Sequence, residues 1–488
     1  MRLLEIIDKV NVLDKINFYD FDIEEISDDS REIYKRCLFF AIKGNNKDGN
    51  KYIDEVIERG AVAIVTETPS DAKVCQIIVK DTRLALAQMA SNFYKPKGKR
   101  VKVIGVVGTN GKTTTSFMLK SILTKAGYVT GVIGTLGAYY LKAEVAPELT
   151  TPNAIGFYEL LFNMANAGVE YVVVELSAHA IEQKRLGNLK FECLIFTNCT
   201  QDHLDYFKDF NAYEKTKMSV FNDKNCRFAV VNSDDLTGQK ILRENKVRIF
   251  SYAIENPSDV FAINVNNNIN GVSFVINAFD EIDNFNYASA GLFNVYNALA
   301  ASTCASVLGI STSVIKEGLE TIKCVPGRME FVENFNGANV IIDYAHTPDG
   351  LENLLKTVKE ITAQKVVLVF GCGGNRDKEK RPIMGEIAGK YADFTVITSD
   401  NPRYEEPYLI ISEIEKGLRK SSLSYITIQN RKMAIGYALT KLKSGDTLVV
   451  AGKGAEEYQE IMGVKSRFSD REEIKDCIAK IKFSGELF

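Results

Sequence analysis

The chain has 488 residues, 45% of them hydrophobic, and a formal net charge of −3. That length exceeds what one hydrophobic core supports and predicts two to four globular domains. The near-neutral balance removes the electrostatic case for nucleic-acid binding, and no stretch approaches the about 20 apolar residues of a membrane span. Nine cysteines (Cys37, Cys75, Cys193, Cys199, Cys226, Cys304, Cys324, Cys372 and Cys477) are scattered, with no Cys-x-x-Cys pair. They fit buried thiols in a reducing compartment better than disulfides or zinc, so a soluble cytoplasmic protein is expected.

The opening Met1–Asp8 alternates charge with apolar residues and predicts an amphipathic helix, not a signal h-region. From Cys37 a strand (Cys37–Ile42), a helix (Tyr52–Arg59) and a strand (Ala61–Val65) form a small α/β unit, extended by a strand at Gln76–Val79 and a helix from Thr82. The basic run Lys95–Arg100 predicts a linker closing this domain at about residue 98. A second unit opens on strand Val101–Val107, continues through a glycine loop into helix Lys112–Ala126, and repeats apolar strands at Val172–Val174, Cys193–Phe196 and Phe228–Val231. This alternation implies a mainly parallel sheet covered on both faces. Residues 247 to 286 read as shorter edge strands rich in Asn, followed by helix Asn294–Leu308. After Pro326-Gly327 the alternation restarts with strand Asn339–Asp343, helix Leu351–Ile361 and strands at Val366–Phe370, Phe394–Ile397 and Thr447–Ala451, a dinucleotide-type open sheet. The expected architecture is α/β in three domains: a small N-terminal α/β domain (1–98), a central P-loop-type parallel-sheet domain (99–325) and a C-terminal Rossmann-like domain (326–488).

The run Gly108-Thr-Asn-Gly-Lys-Thr-Thr114 follows an apolar strand and begins a helix, the context a phosphate loop requires. Glycines let backbone N–H groups turn onto phosphate oxygens, Lys112 offsets their charge, and Thr113 or Thr114 can reach Mg²⁺. Val106 stands where the full Gly-x4-Gly-Lys-Thr pattern has its first glycine.

Only three histidines occur, each in a chemical setting: His179 in Glu175-Leu-Ser-Ala-His179, His203 in Asp202-His-Leu-Asp205, and His346 in Asp343-Tyr-Ala-His-Thr-Pro348. Glu175 ends a strand, where a parallel sheet presents residues to its ligand crevice, and a carboxylate there can hold Mg²⁺. His203 could add a nitrogen ligand or serve as a hydrogen-bonding partner of Asp202 and Asp205. Lys217, on a helix, would repel metal ions unless neutral or carbamylated, and its spacing alone does not single it out.

These residues resemble the Mur ligase family, ATP-dependent amino-acid-adding enzymes of peptidoglycan precursor synthesis. The resemblance covers nearly the whole chain. Besides the segments already quoted, it rests on Leu149-Thr-Thr-Pro152, Thr197-Asn198, Gly291-Leu-Phe-Asn294 with Asn297, Gly327-Arg-Met-Glu330, Phe370–Asp377, Asp400-Asn-Pro-Arg403 and Ser469-Asp-Arg471. It implies that 1–98 binds a UDP-muramoyl substrate, 99–325 binds ATP and 326–488 binds the incoming amino acid. ATP would be held by Gly108, Thr109, Asn110, Gly111, Lys112, Thr113 and Thr114, with Asn294, Asn297, Arg328, Asp343 and His346. Thr113, Glu175, His203 and a carbamylated Lys217 would carry Mg²⁺, and Lys112, Glu175, His203 and Lys217 would be catalytic. Ser30, Thr150, Thr151, Ser177, Gln183 and Arg185 would grip UDP-N-acetylmuramoyl-L-alanyl-D-glutamate. The partners implied are small molecules only, with no nucleic acid or membrane, and the protein is expected to be a monomer.

A carboxylate is a poor electrophile, so the family's chemistry first phosphorylates the D-glutamyl carboxyl with ATP and then lets an amine displace phosphate. The Asp400-Asn-Pro-Arg403 form goes with meso-diaminopimelate in the family, and Arg376, Gly452 and Glu456 match its other contacts. A guanidinium facing the distal end of the amino acid seeks a carboxylate, which diaminopimelate has and L-lysine lacks. Two departures are Ala455, where the family has His, and Ala178, where it has Ser. The alternatives are the same reaction with L-lysine or another diamino acid, a folylpolyglutamate synthetase-like ligase, and a non-catalytic nucleotide-binding protein.

Overall fold

Alternating apolar residues build the third sheet and set its layers. Val366, Leu368 and Phe370 turn to one core, while Val367 and Val369 turn to another, the period of two that a pleated strand imposes. The first core is closed by helices Pro348–Ile361, Lys380–Tyr391 and Pro407–Leu418, the second by Arg431–Lys441 and Asp470–Ser484. Helix Pro348–Ile361 is legible locally: Thr347 caps it by accepting the Gly350 N–H at 3.1 Å, and proline stands in its first turn. Leu351, Leu354, Leu355 and Val358 form its buried stripe, each contributing roughly 1.5–3 kcal/mol. The sheet orders its strands Glu330–Phe335, Ala338–Asp343, Thr447–Ala451, Val366–Phe370, Phe394–Ile397, Tyr425–Thr427, parallel except for the first pair.

A computed structural model of the chain describes residues 1–44, 48–95, 101–244 and 247–484. The N-terminal sheet orders Val12–Ile16, Cys75–Val79, Ala61–Thr66, Cys37–Phe40 and Glu25–Ser27, with the first pair antiparallel. The central sheet runs Glu281–Tyr287, Gly271–Ala278, Val260–Asn268, Ile249–Ala253, Cys226–Asn232, Phe191–Phe196, Lys102–Val107, Tyr171–Leu176, Thr130–Gly134, Gly137–Tyr140, Ala143–Val145. Pairing is parallel between Thr130–Gly134 and Tyr171–Leu176, and antiparallel through the outer hairpins at both margins. The α/β expectation therefore holds, with antiparallel edges on a parallel interior.

One expectation changes. The helix predicted over Met1–Asp8 is one turn, Leu3–Ile6: Leu3 and Ile6 are buried, Ile7 ends the turn, and Lys9 at φ +59° redirects the chain into strand Val12–Ile16. The predicted linker Lys95–Arg100 lies outside the described residues beyond Lys95. By compactness the chain forms two units, Met1–Gly105 with Tyr128–Leu194 and Val220–Phe228, and Val106–Gly127 with Ile195–Ser219 and Ala229–Phe488.

Candidate active site

Strand Lys102–Val107 delivers the glycine loop and helix Lys112–Lys125 carries it away. A Cβ on Gly108 would lie 1.8 Å from Thr197 Oγ1, and Gly111, the helix N-cap, holds φ +83°, so both positions demand glycine. The neighbouring strand end fixes the loop: the Thr109 and Asn110 N–H groups donate to the carbonyl and side-chain oxygens of Asn198, each at 2.9 Å. Thr197 Oγ1 donates to the Asn110 carbonyl at 2.7 Å. Lys112 Nζ donates to the Gly108 and Thr109 carbonyls at 2.8 Å each. The Thr113 hydroxyl, 2% exposed, accepts from Arg328 Nη2 at 2.8 Å, and Thr114 is buried beside it. Asn294 and Asn297 are buried, and Asn297 Oδ1 accepts from Thr115 at 3.3 Å and blocks any Cβ on Gly111. Asn297 thus braces the loop helix, while Asn294 donates to Ser289 Oγ and the Ala290 carbonyl behind it.

Helix Phe210–Met218, capped by Asp209, brings Lys217 under this loop. Lys217 is 1% exposed, its Nζ donates to Thr109 Oγ1 at 2.7 Å, and it lies 4.0 Å from the centre of the Tyr213 ring. Burial, reinforced by the Lys112 ammonium and opposed by Cys199, pushes its amine down to about 7. A lysine so poised is a competent nucleophile near neutral pH, which carbamylation requires.

Asp202 gathers residues remote in sequence. Its carboxylate accepts the His203 N–H at 2.9 Å and Lys380 Nζ at 3.3 Å, with the His203 and His346 Nε2 atoms at 3.3 and 3.8 Å. Burial works to raise its pKa, yet Lys380 and the two histidines hold it well below the carboxylate range. His203 adopts φ +58°, a strained setting for a residue other than glycine. The His346 ring donates from Nδ1 to the Tyr344 carbonyl at 2.9 Å; burial first and then Lys380 push it down to about 4, so it is neutral at physiological pH. Asp343 accepts the Met329 and Ala345 N–H groups at 2.6 and 2.7 Å, and Arg328 lies 4.3 Å over the Tyr344 ring. Lys380 was not singled out in the sequence; only its double lysine-arginine run, Lys378-Glu-Lys-Arg381, offered a signal.

In the other unit one network joins most of the residues read as substrate contacts. Glu175, 1% exposed, accepts the Thr135 N–H and hydroxyl at 3.0 Å each, and the Thr135 hydroxyl meets that of Thr150 at 3.2 Å. Thr151 Oγ1 donates to the Glu175 carbonyl at 2.6 Å and accepts the Ser177 N–H at 3.0 Å. Arg185 donates to the Thr151 carbonyl at 2.7 Å and to Gln183 Oε1 at 2.9 Å. Thr135 is the member that sequence reasoning missed. Ser30 stands apart, its carbonyl accepting from Arg59 at 3.1 Å.

The loops after strands Val366–Phe370, Phe394–Ile397 and Thr447–Ala451 converge on a third cluster. Asn401 Oδ1 accepts from the fully buried Lys453 Nζ and from the Glu460 N–H at 3.0 Å each, while its Nδ2 donates to Glu456 Oε2 at 3.0 Å. Lys453 also donates to Glu456 Oε2 at 3.0 Å. Arg403, at φ +53°, donates from Nη1 to the Gly374 carbonyl at 2.8 Å, with Nε 3.4 Å from Glu460. Asp400 is buried beside Gly452, and Arg376 is exposed at the rim. The cluster thus offers guanidinium groups for an anion and a fixed carboxylate for a cation.

Among the described residues no group of three His, Cys, Asp or Glu side chains is assembled for a metal. Taken singly, the hydroxyl of Thr113, the imidazole of His203 and a carbamate on the buried Lys217 in one unit, and the carboxylate of Glu175 in the other, are donors of a kind that Mg²⁺ accepts.

Family models match in chain order: "Mur ligase family, catalytic domain" over 22–94, "Mur ligase middle domain" over 106–305 and "Mur ligase, glutamate ligase domain" over 327–454. The UDP-N-acetylmuramoyl-L-alanyl-D-glutamate--2,6-diaminopimelate ligase of Clostridium tetani is 42% identical, over 99% of this chain and 100% of its own. The ligase of the same description from Clostridioides difficile is 40% identical over 99% and 100%. A solved structure of such a ligase superposes with a TM-score of 0.68 at 29% identity, covering 95% of this chain and 96% of that one. The chain belongs to the Mur ligase family.

Proposed function

We propose that this chain is the ATP-dependent ligase that joins meso-2,6-diaminopimelate to UDP-N-acetylmuramoyl-L-alanyl-D-glutamate, forming the UDP-muramoyl-tripeptide of peptidoglycan synthesis. The observation that carries the amino-acid assignment is the two-signed pocket. Asn401 and Lys453 occupy Glu456 Oε2, Oε1 accepts from the Tyr344 hydroxyl at 3.5 Å, and Arg403 and Arg376 flank Gly373 on the facing loop. A distal end carrying both ammonium and carboxylate satisfies both signs; the bare ammonium of L-lysine brings the guanidiniums no carboxylate of its own, a loss that can discriminate by up to about 10⁴-fold.

The reaction runs through an acyl phosphate. The D-glutamyl carboxylate attacks the γ-phosphorus, ADP leaves, and the amine of diaminopimelate then displaces phosphate to make the amide. Lys112 shifts from its own loop carbonyls onto phosphate oxygens and offsets the repulsion between the two anions. Arg328 steadies Thr113 at the loop. Thr113, Glu175, His203 and carbamylated Lys217 are the proposed ligands of Mg²⁺, which would supply further charge neutralisation. The Thr150–Thr151–Ser177–Arg185 network is the proposed grip on the UDP-muramoyl dipeptide, with Ser30 toward the uridine. The proposed division into domains is 1–98, 99–325 and 326–488, supported by the order and spans of the matched family models. The protein is proposed to work as a cytoplasmic monomer; no helix among the described residues is long and apolar enough to cross a membrane.

The test is phosphate release with ATP, the UDP-linked dipeptide and a panel of amino acids. Diaminopimelate should exceed L-lysine by orders of magnitude. Equal use of the two would remove the pocket argument, and turnover with a folate instead of the dipeptide would replace the assignment.

A further inference from the structure

Two side chains outside the chemistry tie together the loops that carry the pocket's guanidiniums. Arg381 is completely buried. Its Nη1 donates to Glu405 Oε2 at 3.0 Å and Glu413 Oε2 at 2.7 Å, while Nη2 donates to Glu405 Oε1 at 3.0 Å and the Gly373 carbonyl at 3.2 Å. Glu405 Oε1 also accepts the Asn375 N–H, and Asn375 Oδ1 accepts the Tyr404 N–H at 3.0 Å. The loops touch backbone to backbone, since a Cβ on Gly374 would lie 1.9 Å from the Pro402 carbonyl. Arg376 follows Asn375, and Arg403 precedes Tyr404. Arg376 therefore sits one residue from a bond to Glu405, and Arg403 one residue from the Tyr404–Asn375 bond, whose asparagine Glu405 holds.

Asn375 holds φ +50° and Arg403 φ +53°. Such backbone persists only where the surroundings over-determine it, and the fork of Arg381 on Glu405, with its further bond to the Gly373 carbonyl, joins these two loops. The pair also settles a charge problem. A third cation beside Arg376 and Arg403 would compete for a substrate carboxylate, but Arg381 is bonded to two glutamates and has none of its surface in solvent.

We infer that the Arg381–Glu405 pair is a positioning element for amino-acid specificity, fixing the separation and aim of Arg376 and Arg403 so that a carboxylate-bearing diamino acid is selected over one ending in an ammonium. The inference rests on the diaminopimelate reading above. Neither residue touches a reacting atom, so the effect falls on recognition and not on phosphoryl transfer.

The experiment compares the full-length protein with its Glu405→Gln and Arg381→Lys variants, measuring kcat and KM for diaminopimelate, L-lysine and ATP, with a thermal melt of each. A displacement near 1 Å can cost about 10²-fold. Glu405→Gln should therefore raise KM for diaminopimelate by roughly 10-fold or more while kcat and KM for ATP stay within about twofold. Selectivity over L-lysine should fall by the same factor, because lysine offers the guanidiniums nothing. Should Glu405→Gln fail to fold, Arg381→Lys, which retains the buried cation but not the fork, carries the same expectation. Folded variants with unaltered selectivity, or with all three KM values and kcat shifted together, overturn the inference. Wild-type protein that does not use diaminopimelate overturns the functional reading beneath it; wild-type use with unchanged variants overturns this inference alone.

Discussion

Arg403 keeps its aim at the expense of its own backbone, whose φ of +53° costs a non-glycine residue on the order of 1 kcal/mol. Arg403→Ala should reduce diaminopimelate turnover by about 10²-fold or more while ATP affinity hardly moves, as read by steady-state kinetics and nucleotide titration. Lys453 works differently: buried completely, it fixes the amide of Asn401 and one oxygen of Glu456. Lys453→Met leaves that carboxylate without its buried cation, and a stability loss of roughly 3 kcal/mol by urea titration is expected, with a raised KM for diaminopimelate. At this scale the sequence was informative where residues cluster in a run. Gly108–Thr114 and Asp400–Arg403 could be read directly, because each packs its chemistry into a few positions. Lys453 follows Gly452 in the sequence, but nothing there tells a buried lysine from a solvated one.

Elements were legible where apolar periodicity was strong, as in helix Pro348–Ile361 and strand Val366–Phe370. They were hidden where it was not. Strand Glu25–Ser27 is three residues long, and hairpin Tyr458–Ile461 with Val464–Arg467 has hardly a buried side chain, so no pattern marks them. The loop-to-loop fastening by Arg381 was equally hidden, since its partners come from three separate segments. It carries a pH signature. Hydrogen bonding from Arg381, against some burial and with help from the Asn375 N–H, holds the Glu405 carboxyl at about 2, below the usual 4.5. A carboxyl depressed in the folded state contributes stability fully above its unfolded pKa and loses it as pH falls through the folded value. The stability gap between wild type and Glu405→Gln should be constant near neutral pH and close between about 4.5 and 2, as urea titrations across that range would record. A gap that persists at pH 2 would mean that packing, not ionisation, carries the contribution.

Across the molecule, the site is assembled from partners far apart in the chain. Asp202 meets Lys380 across 178 positions, Thr113 meets Arg328 across 215, and Asn110 donates to Asp349 across 239. Composition and motif order revealed three α/β domains, yet pairings over such separations leave no local trace, and only folding reveals them. Lys380→Met strands a buried carboxylate, so a loss of roughly 3 kcal/mol in chemical denaturation is expected. These separations also bear on synthesis. A ribosome will have made the glycine loop and its neighbours Thr197 and Asn198 long before Arg328 and Asp349 emerge, so the loop leaves the exit tunnel without its last two partners. Nascent chains stalled before residue 325 should retain little nucleotide on a filter, and those stalled beyond about residue 400, once clear of the tunnel, should retain it. On that outcome, capture of fuel would be a late event in the protein's own translation.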